Sequence, residues 1–229
     1  MPRTEINYGV KPQTYEIMDR AGWYEQNEKH QVVSLRYLLH GCRDGALFRL
    51  VLDRHTDLIP YGSSADEMEI SAQLHDIGKP FVTGGDTTLW ERITLDEGDY
   101  EKIERHPGEG LARLYRASNG TGAVPDAAYH ITFMHHEPSY PTRFPQNLIP
   151  PFVQLFRVVD HVIGMGEGPQ EQRLYKEKGW TLSESYTTLN ALGLQKNKIN
   201  IDYMKLVFEI LKQNEHMKDP RLQFLGSWD

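Results

Sequence analysis

The stretch Pro151-Phe-Val-Gln-Leu-Phe-Arg-Val-Val-Asp-His-Val-Ile163 decides the fold class. Phe152, Leu155, Phe156, Val159, Val162 and Ile163 recur at the three- and four-residue intervals of a helix with one buried face. Tyr203, Leu206, Val207, Ile210 and Leu211 repeat the pattern near the C-terminus. Working back toward the N-terminus, helical periodicity continues. Residues 27 to 54 read as a helix interrupted near Gly41 to Gly45, and Ser64 to Ile77 as a second. Ser64 or Asp66 can cap that second helix, and Gly78-Lys79-Pro80 is a stop signal. Residues 81 to 95 read as a loop or small hairpin. Asp96 to Arg105 is helical, Pro107 should break it at His106, Leu111 to Ala117 resumes, and Asp126 to His136 follows. Five prolines make 137 to 151 a loop. Repeats, low-complexity tracts and long linkers are absent from the sequence. The expected fold is all-α, a single-domain helical bundle over residues 1 to 229. Its motif core spans about 27 to 165, with further helices within 170 to 215.

Composition narrows the function. The 229 residues carry 25 Lys plus Arg against 32 Asp plus Glu, a net charge of −7. A global basic sheath for nucleic acid is excluded, although a local groove is not. The single cysteine, Cys42, excludes an intrachain disulfide framework and fits a reducing compartment. No apolar run approaches the roughly 18 residues of a membrane span, and the N-terminal residues lack an apolar signal core. The expectation is a cytoplasmic protein with no membrane partner.

Several polar residues sit where helix packing calls for aliphatic ones. Asp160 lies on the apolar face of its helix, four residues after Phe156. A lone buried carboxylate is costly unless it is paired or bound to metal. A structural ion pair is the competing explanation. His75 and Asp76 close an amphipathic segment containing Ile70 and Leu74. Adjacent helical positions diverge by about 100°, so the pair can grip one metal only near a helix end, unless the Asp spans two ions. His106 is held by the proline after it. His135 and His136 are adjacent and end a helix, which suits two ions, or one ion and a substrate. His30 shares a face with Val33 and Tyr37, and His40 competes with it on the same stripe. His55, His130, His161 and His216 lack such a context. A set of imidazoles and carboxylates without thiolate selects Mn, Fe, Co or Zn over Ca or a structural Cys-zinc; the expected cofactors are two divalent transition-metal ions, Fe or Mn first, then Zn, Co or Ni. Lys79, just past Asp76 across a glycine, is placed to meet an anionic substrate.

At these residues the chain resembles a known family. Leu74-His75-Asp76-Ile77-Gly78-Lys79 is similar to the signature of the HD superfamily of metal-dependent phosphohydrolases. His106-Pro107-Gly-Glu-Gly110, His135-His136-Glu137, Tyr140-Pro141, Ile149-Pro150 and Val158-Val159-Asp160 follow in the order of its HD-GYP phosphodiesterase branch. The resemblance covers about His30 to Asp160. It implies a fold of HD-domain type and a phosphohydrolase acting on a nucleotide phosphodiester or phosphomonoester through a metal-activated hydroxide. The implied ligands are His30, His75, Asp76, His106, His135, His136 and Asp160, with Asp76 bridging the ions. Asp76 and Lys79 are the implied catalytic residues and Lys79 and Tyr140 the implied substrate contacts; Arg173 and Lys176, which come later than the family's basic stretch, are the further expected substrate contacts.

The chain also departs from the branch. The Asp-Gly-x-Gly that precedes Tyr-Pro there is replaced by Glu137-Pro138-Ser139, and the basic stretch soon after the last aspartate is missing. Both regions shape the substrate pocket, so linear substrates are expected to rival cyclic di-GMP. Gln26 stands where some members carry a third-metal glutamate, which implies two ions rather than three. Other readings are an HD-type nuclease on single-stranded DNA, disfavoured by charge, and a di-iron HD oxygenase. A degenerate signalling module fits least, because such modules lose ligands. A homodimer is compatible with all of these.

Overall fold

The computed structural model describes residues 9–23, 31–82, 96–119, 123–140, 142–167, 179–196 and 199–228, with side chains from Tyr37 in the helix that begins at Gln31. The fold is all-α, and no strand occurs among the described residues. Its helices are α1 (Pro12–Arg20), α2 (Gln31–Leu52), α3 (Ala65–Gln73), α4 (Lys79–Val82), α5 (Glu97–Glu104), α6 (His106–Ser118) and α7 (Asp126–Met134). They continue with α8 (Pro151–Gly166), α9 (Leu182–Lys196) and α10 (Ile201–Lys212). Among the described residues no helix is long and apolar enough to cross a membrane.

The helix starts follow local chemistry. Ser64 caps α3 in a reciprocal box: its hydroxyl accepts from the Glu67 amide, and the Glu67 carboxylate accepts from the Ser64 amide. Asp96 and Asp99 form the same box at α5. Pro107 falls in the first turn of α6, where a missing amide hydrogen costs nothing. The break at His106 therefore occurs as expected, but the second helix begins there and not at Leu111. Pro151 plays the same part in α8.

Three other expectations are corrected. Helix α2 runs through Gly41 and Gly45 without interruption. The two glycines are a docking surface instead. A Cβ on Gly41 would lie 2.6 Å from the Gln73 carbonyl oxygen, and one on Gly45 would lie 3.0 Å from Gln73 Cγ. Their bareness lets α2 and α3 pack backbone to backbone. Second, α3 ends at Gln73, and residues 74–78 form a turn, so His75 and Asp76 lie just beyond the helix. Third, Lys79-Pro80 does not end helical structure but opens the short α4. Phe81 and Val82 of the expected loop or hairpin belong to α4, and its remaining residues, 83–95, lie outside the described residues.

Packing divides the interior into two apolar clusters. The larger joins the C-terminal half of α2 to α7, α8, α9 and α10 through Phe48, Phe156, Ile131, Leu189 and Phe208. The smaller joins α1, the turn after α3, and α6 through Ile17, Trp23, Leu74, Ile77 and Leu114. Between them lie the polar residues from α2, the 74–78 turn, α6, the end of α7 and α8. All five predicted inward residues of the 152–163 stripe apart from Phe152 are fully buried. So is most of Asp160, 9 % exposed in the middle of that face.

Candidate metal centre

Each polar residue of this interior is delivered by a helix end or a helix face. Asp76 is central. His75, Asp76, His106 and His135 are each at most 4 % exposed. His106 Nε2 lies 3.3 Å and His135 Nε2 3.5 Å from Asp76 Oδ1, while His75 Nε2 lies 3.2 Å from Asp76 Oδ2. Lys79 forms an ion pair with the same Oδ2. The lysine therefore turns inward onto the cluster, where the sequence had placed it facing away from the core.

The imidazoles are oriented by their other nitrogens. His75 Nδ1 donates to the Ala72 carbonyl (2.8 Å), His106 Nδ1 to Ile103 (2.6 Å) and His135 Nδ1 to Thr132 (2.9 Å). A carbonyl oxygen can only accept, so in each ring Nδ1 carries the proton and Nε2 presents its lone pair. His106 Nε2 and His135 Nε2 then face each other at 3.2 Å. Two lone pairs at that distance repel unless a cation lies with them. Backbone-tethered imidazoles converging on a buried carboxylate fit a divalent transition metal.

Electrostatics agree with that donor set. Burial pushes His106 down to about 4 and lowers His135 and His136, so all three are neutral at pH 7. Asp76 is held well below the usual carboxylate range. Burial opposes this, but the adjoining His75 and the Lys79 ammonium paired with its Oδ2 prevail.

His135 and His136 were expected to point to different places, as consecutive helical residues do. Instead α7 ends at Met134 and the chain turns. The rings lie 4.0 Å apart at their centroids, and His136 stacks on Tyr140 at 4.5 Å and 27°. Ligand atoms of Asp76, His106, His135 and His136 all lie within 4.8 Å of one another. A second group, His40, Asp44, His75 and Asp160, meets the same limit. Its spacings are 3.2 Å for His40 Nε2 to Asp160 Oδ1, 3.3 Å for His40 Nε2 to Asp44 Oδ2, and 4.0 Å for His75 Nε2 to Asp160 Oδ1. Buried Glu167, the residue that follows the last turn of α8 and stands seven beyond Asp160, lies behind His40, with Oε2 3.1 Å from Nδ1, and takes Arg43 on its other oxygen. Burial works against a charged His40, yet Asp44 and Glu167 raise it well above its ordinary value.

The structure thus gathers six of the seven ligands implied by the resemblance. His30 lies outside the described residues, as do Arg173 and Lys176. His40, weighed as the competitor of His30, stands in the cluster. Asp44 and Glu167 were missed. Their signals were the spacings His40-x-x-x-Asp44 and Asp160-x₆-Glu167, each of which repeats a helix face. No protein-family model matches this chain, and a comparison with curated proteins finds no match.

Proposed function

We propose that the protein is a metal-dependent phosphohydrolase of HD type, acting on a nucleotide phosphodiester or phosphomonoester. One observation carries the reading. Six residues from four separate stretches of the sequence, His75, Asp76, His106, His135, His136 and Asp160, meet in one buried polar cluster with imidazole lone pairs converging on a carboxylate. His40 joins them from α2. Ions bound there would supply Lewis acidity toward phosphate oxygens and lower the pKa of a coordinated water.

The chain's own side chains do the remaining work. Asp76 spans the two ligand groups, one oxygen toward His106 and His135 and the other toward His75. Lys79 adds an ammonium at 13 % side-chain exposure, close enough to the rim to meet phosphoryl charge. Tyr140, half-buried on the face of His136, offers a flat ring and a hydroxyl that burial keeps protonated. Such a ring suits a nucleobase or sugar beside the reacting phosphate.

The test is elemental analysis of the purified protein followed by a hydrolysis screen. We expect Fe or Mn with phosphate-ester hydrolysis, and linear diesters and nucleotides turned over at least as well as cyclic di-GMP. Preference for single-stranded DNA would favour the nuclease. Iron with oxygen consumption and no ester hydrolysis would replace the reading with the oxygenase.

Lys79→Ala separates substrate binding from metal binding. The expected result is a loss of kcat/KM of roughly 10- to 100-fold, the size of one removed electrostatic contact, with metal content unchanged. Loss of metal along with activity would show that Lys79 only supports Asp76.

A further inference from the structure

We propose that Asp44 is itself a metal ligand, and that the pocket holds two chemically unequal cation positions. One is made by three imidazoles and a carboxylate (His106, His135, His136, Asp76), the other by two imidazoles and two carboxylates (His40, His75, Asp44, Asp160). The inference rests on the metal-binding part of the reading above and assigns a residue which that reading does not use.

Asp44 projects from α2 into the centre of the fold and has no solvent exposure. Neither of its oxygens receives a hydrogen bond. A fully buried carboxylate with both oxygens unsatisfied is among the most costly groups a protein can hold. Its ion-pair partners are imidazoles alone: His40 Nε2 at 3.3 Å and His75 Nε2 at 3.8 Å from Oδ2. Asp160, across the same space, also meets only these two rings as ion-pair partners. Two carboxylates and two imidazoles thus surround one point, and among the described residues no lysine or arginine forms an ion pair with either acid.

Asp44 is not there for want of an alternative. The Gly41 and Gly45 contacts that bring α2 onto α3 fix its level opposite His75. Behind the group, Arg43 holds Glu167, and Glu167 faces His40 Nδ1. A carboxylate behind a ligating imidazole fixes its ring and raises its basicity.

The two positions differ in the charge they offer. Asp76 brings one negative charge to the imidazole-rich group, although its Oδ2 also faces His75. Asp44 and Asp160 bring two to the other. Imidazoles favour borderline ions such as Zn²⁺, and carboxylates favour harder ones such as Mn²⁺. Zn²⁺ should therefore win the first position by a wider margin than the second.

The experiment uses the full chain, stripped of metal and titrated with Mn²⁺ or Zn²⁺ alone, with bound ions counted after gel filtration. Wild type is expected to hold two ions and Asp44→Asn one, with at least tenfold weaker binding at the lost position. His135→Ala is expected to lose the other ion and keep the one that Asp44→Asn loses. Two ions held equally tightly by Asp44→Asn would overturn the assignment of Asp44, yet leave the phosphohydrolase reading standing. A wild type that holds one ion would overturn the paired positions, and one that holds none would overturn both readings. Should Asp44→Asn fail to fold, wild type loaded with Mn²⁺ and challenged with Zn²⁺ decides the matter. The resonance of free Mn²⁺ released to solution should appear in two phases of one ion each, and a single phase releasing both would overturn the proposal.

Discussion

Asp76→Ala should abolish hydrolysis and release both ions while leaving the helical content close to wild type. Among the described residues, this carboxylate is the acidic group that meets His75, His106, His135 and Lys79 together. Removing a single imidazole would weaken one ligand group, whereas removing Asp76 opens both. Loss of metal-supplied transition-state stabilisation of several kcal/mol corresponds to roughly a thousandfold or more in rate. The fold should survive because the apolar clusters on either side do not include this residue. The substitution also removes a buried charge along with its desolvation cost. Metal content by elemental analysis, far-ultraviolet circular dichroism and kcat on the best substrate of the screen check the three parts. Equal metal in variant and wild type would refute the bridging position of Asp76.

How much of this was legible in the sequence differs from residue to residue. The helical stripes of α8 and α10 were plain because their period is strict and their apolar residues are aliphatic or aromatic. His75, Asp76, His106, His135, His136 and Asp160 could be named because each sits in a short motif with a fixed order. His40 could not be separated from His30 by periodicity. On a continuous helix two positions ten residues apart would be separated by about 15 Å at 1.5 Å per residue, but the sequence pattern put both on one stripe. The level at which α2 docks on α3 is what brings His40 to His75, their rings 5.4 Å apart. That level is set by Gly41 and Gly45 against Gln73 and Glu69. Read locally, the same glycines weaken a helix, and so they suggested an interruption. The facing of His135 and His136 was hidden for a related reason. Helical geometry separates neighbours, but the chain leaves the helix at Met134, and a boundary error of one or two residues reverses the geometric conclusion. Asp44 and Glu167 escaped because charged residues on helices are usually solvated, and nothing local in their surroundings says that both are buried.

Gly78→Ala should be the most damaging small substitution outside the ligands. A Cβ at this position would lie 2.0 Å from the His106 carbonyl oxygen, 2.5 Å from the Gly110 amide nitrogen and 2.9 Å from Gly110 Cα. All three are backbone atoms in the first turns of α6, so no side chain can swing aside. Gly110 closes the approach from its own side, since a Cβ there would meet Thr132 Cγ2 at 2.6 Å. The turn bearing His75 and Asp76 and the helix bearing His106 therefore touch through two bare α-carbons. That contact sets the 3.3 Å separation of His106 from Asp76. Relieving the clash means parting the turn from α6, at a cost of about 3 kcal/mol or more. For a chain of this size that lowers Tm by roughly 6–12 °C, and it should weaken metal binding by at least tenfold in the molecules that still fold, because one ligand moves off the carboxylate. Gly108→Ala, two residues from Gly110 in the same helix, meets nothing within 4 Å. It should be neutral, or stabilising by up to about 1 kcal/mol. Thermal unfolding with and without metal checks the pair. Equal Tm values for the two variants would show that the turn and α6 do not meet through these glycines.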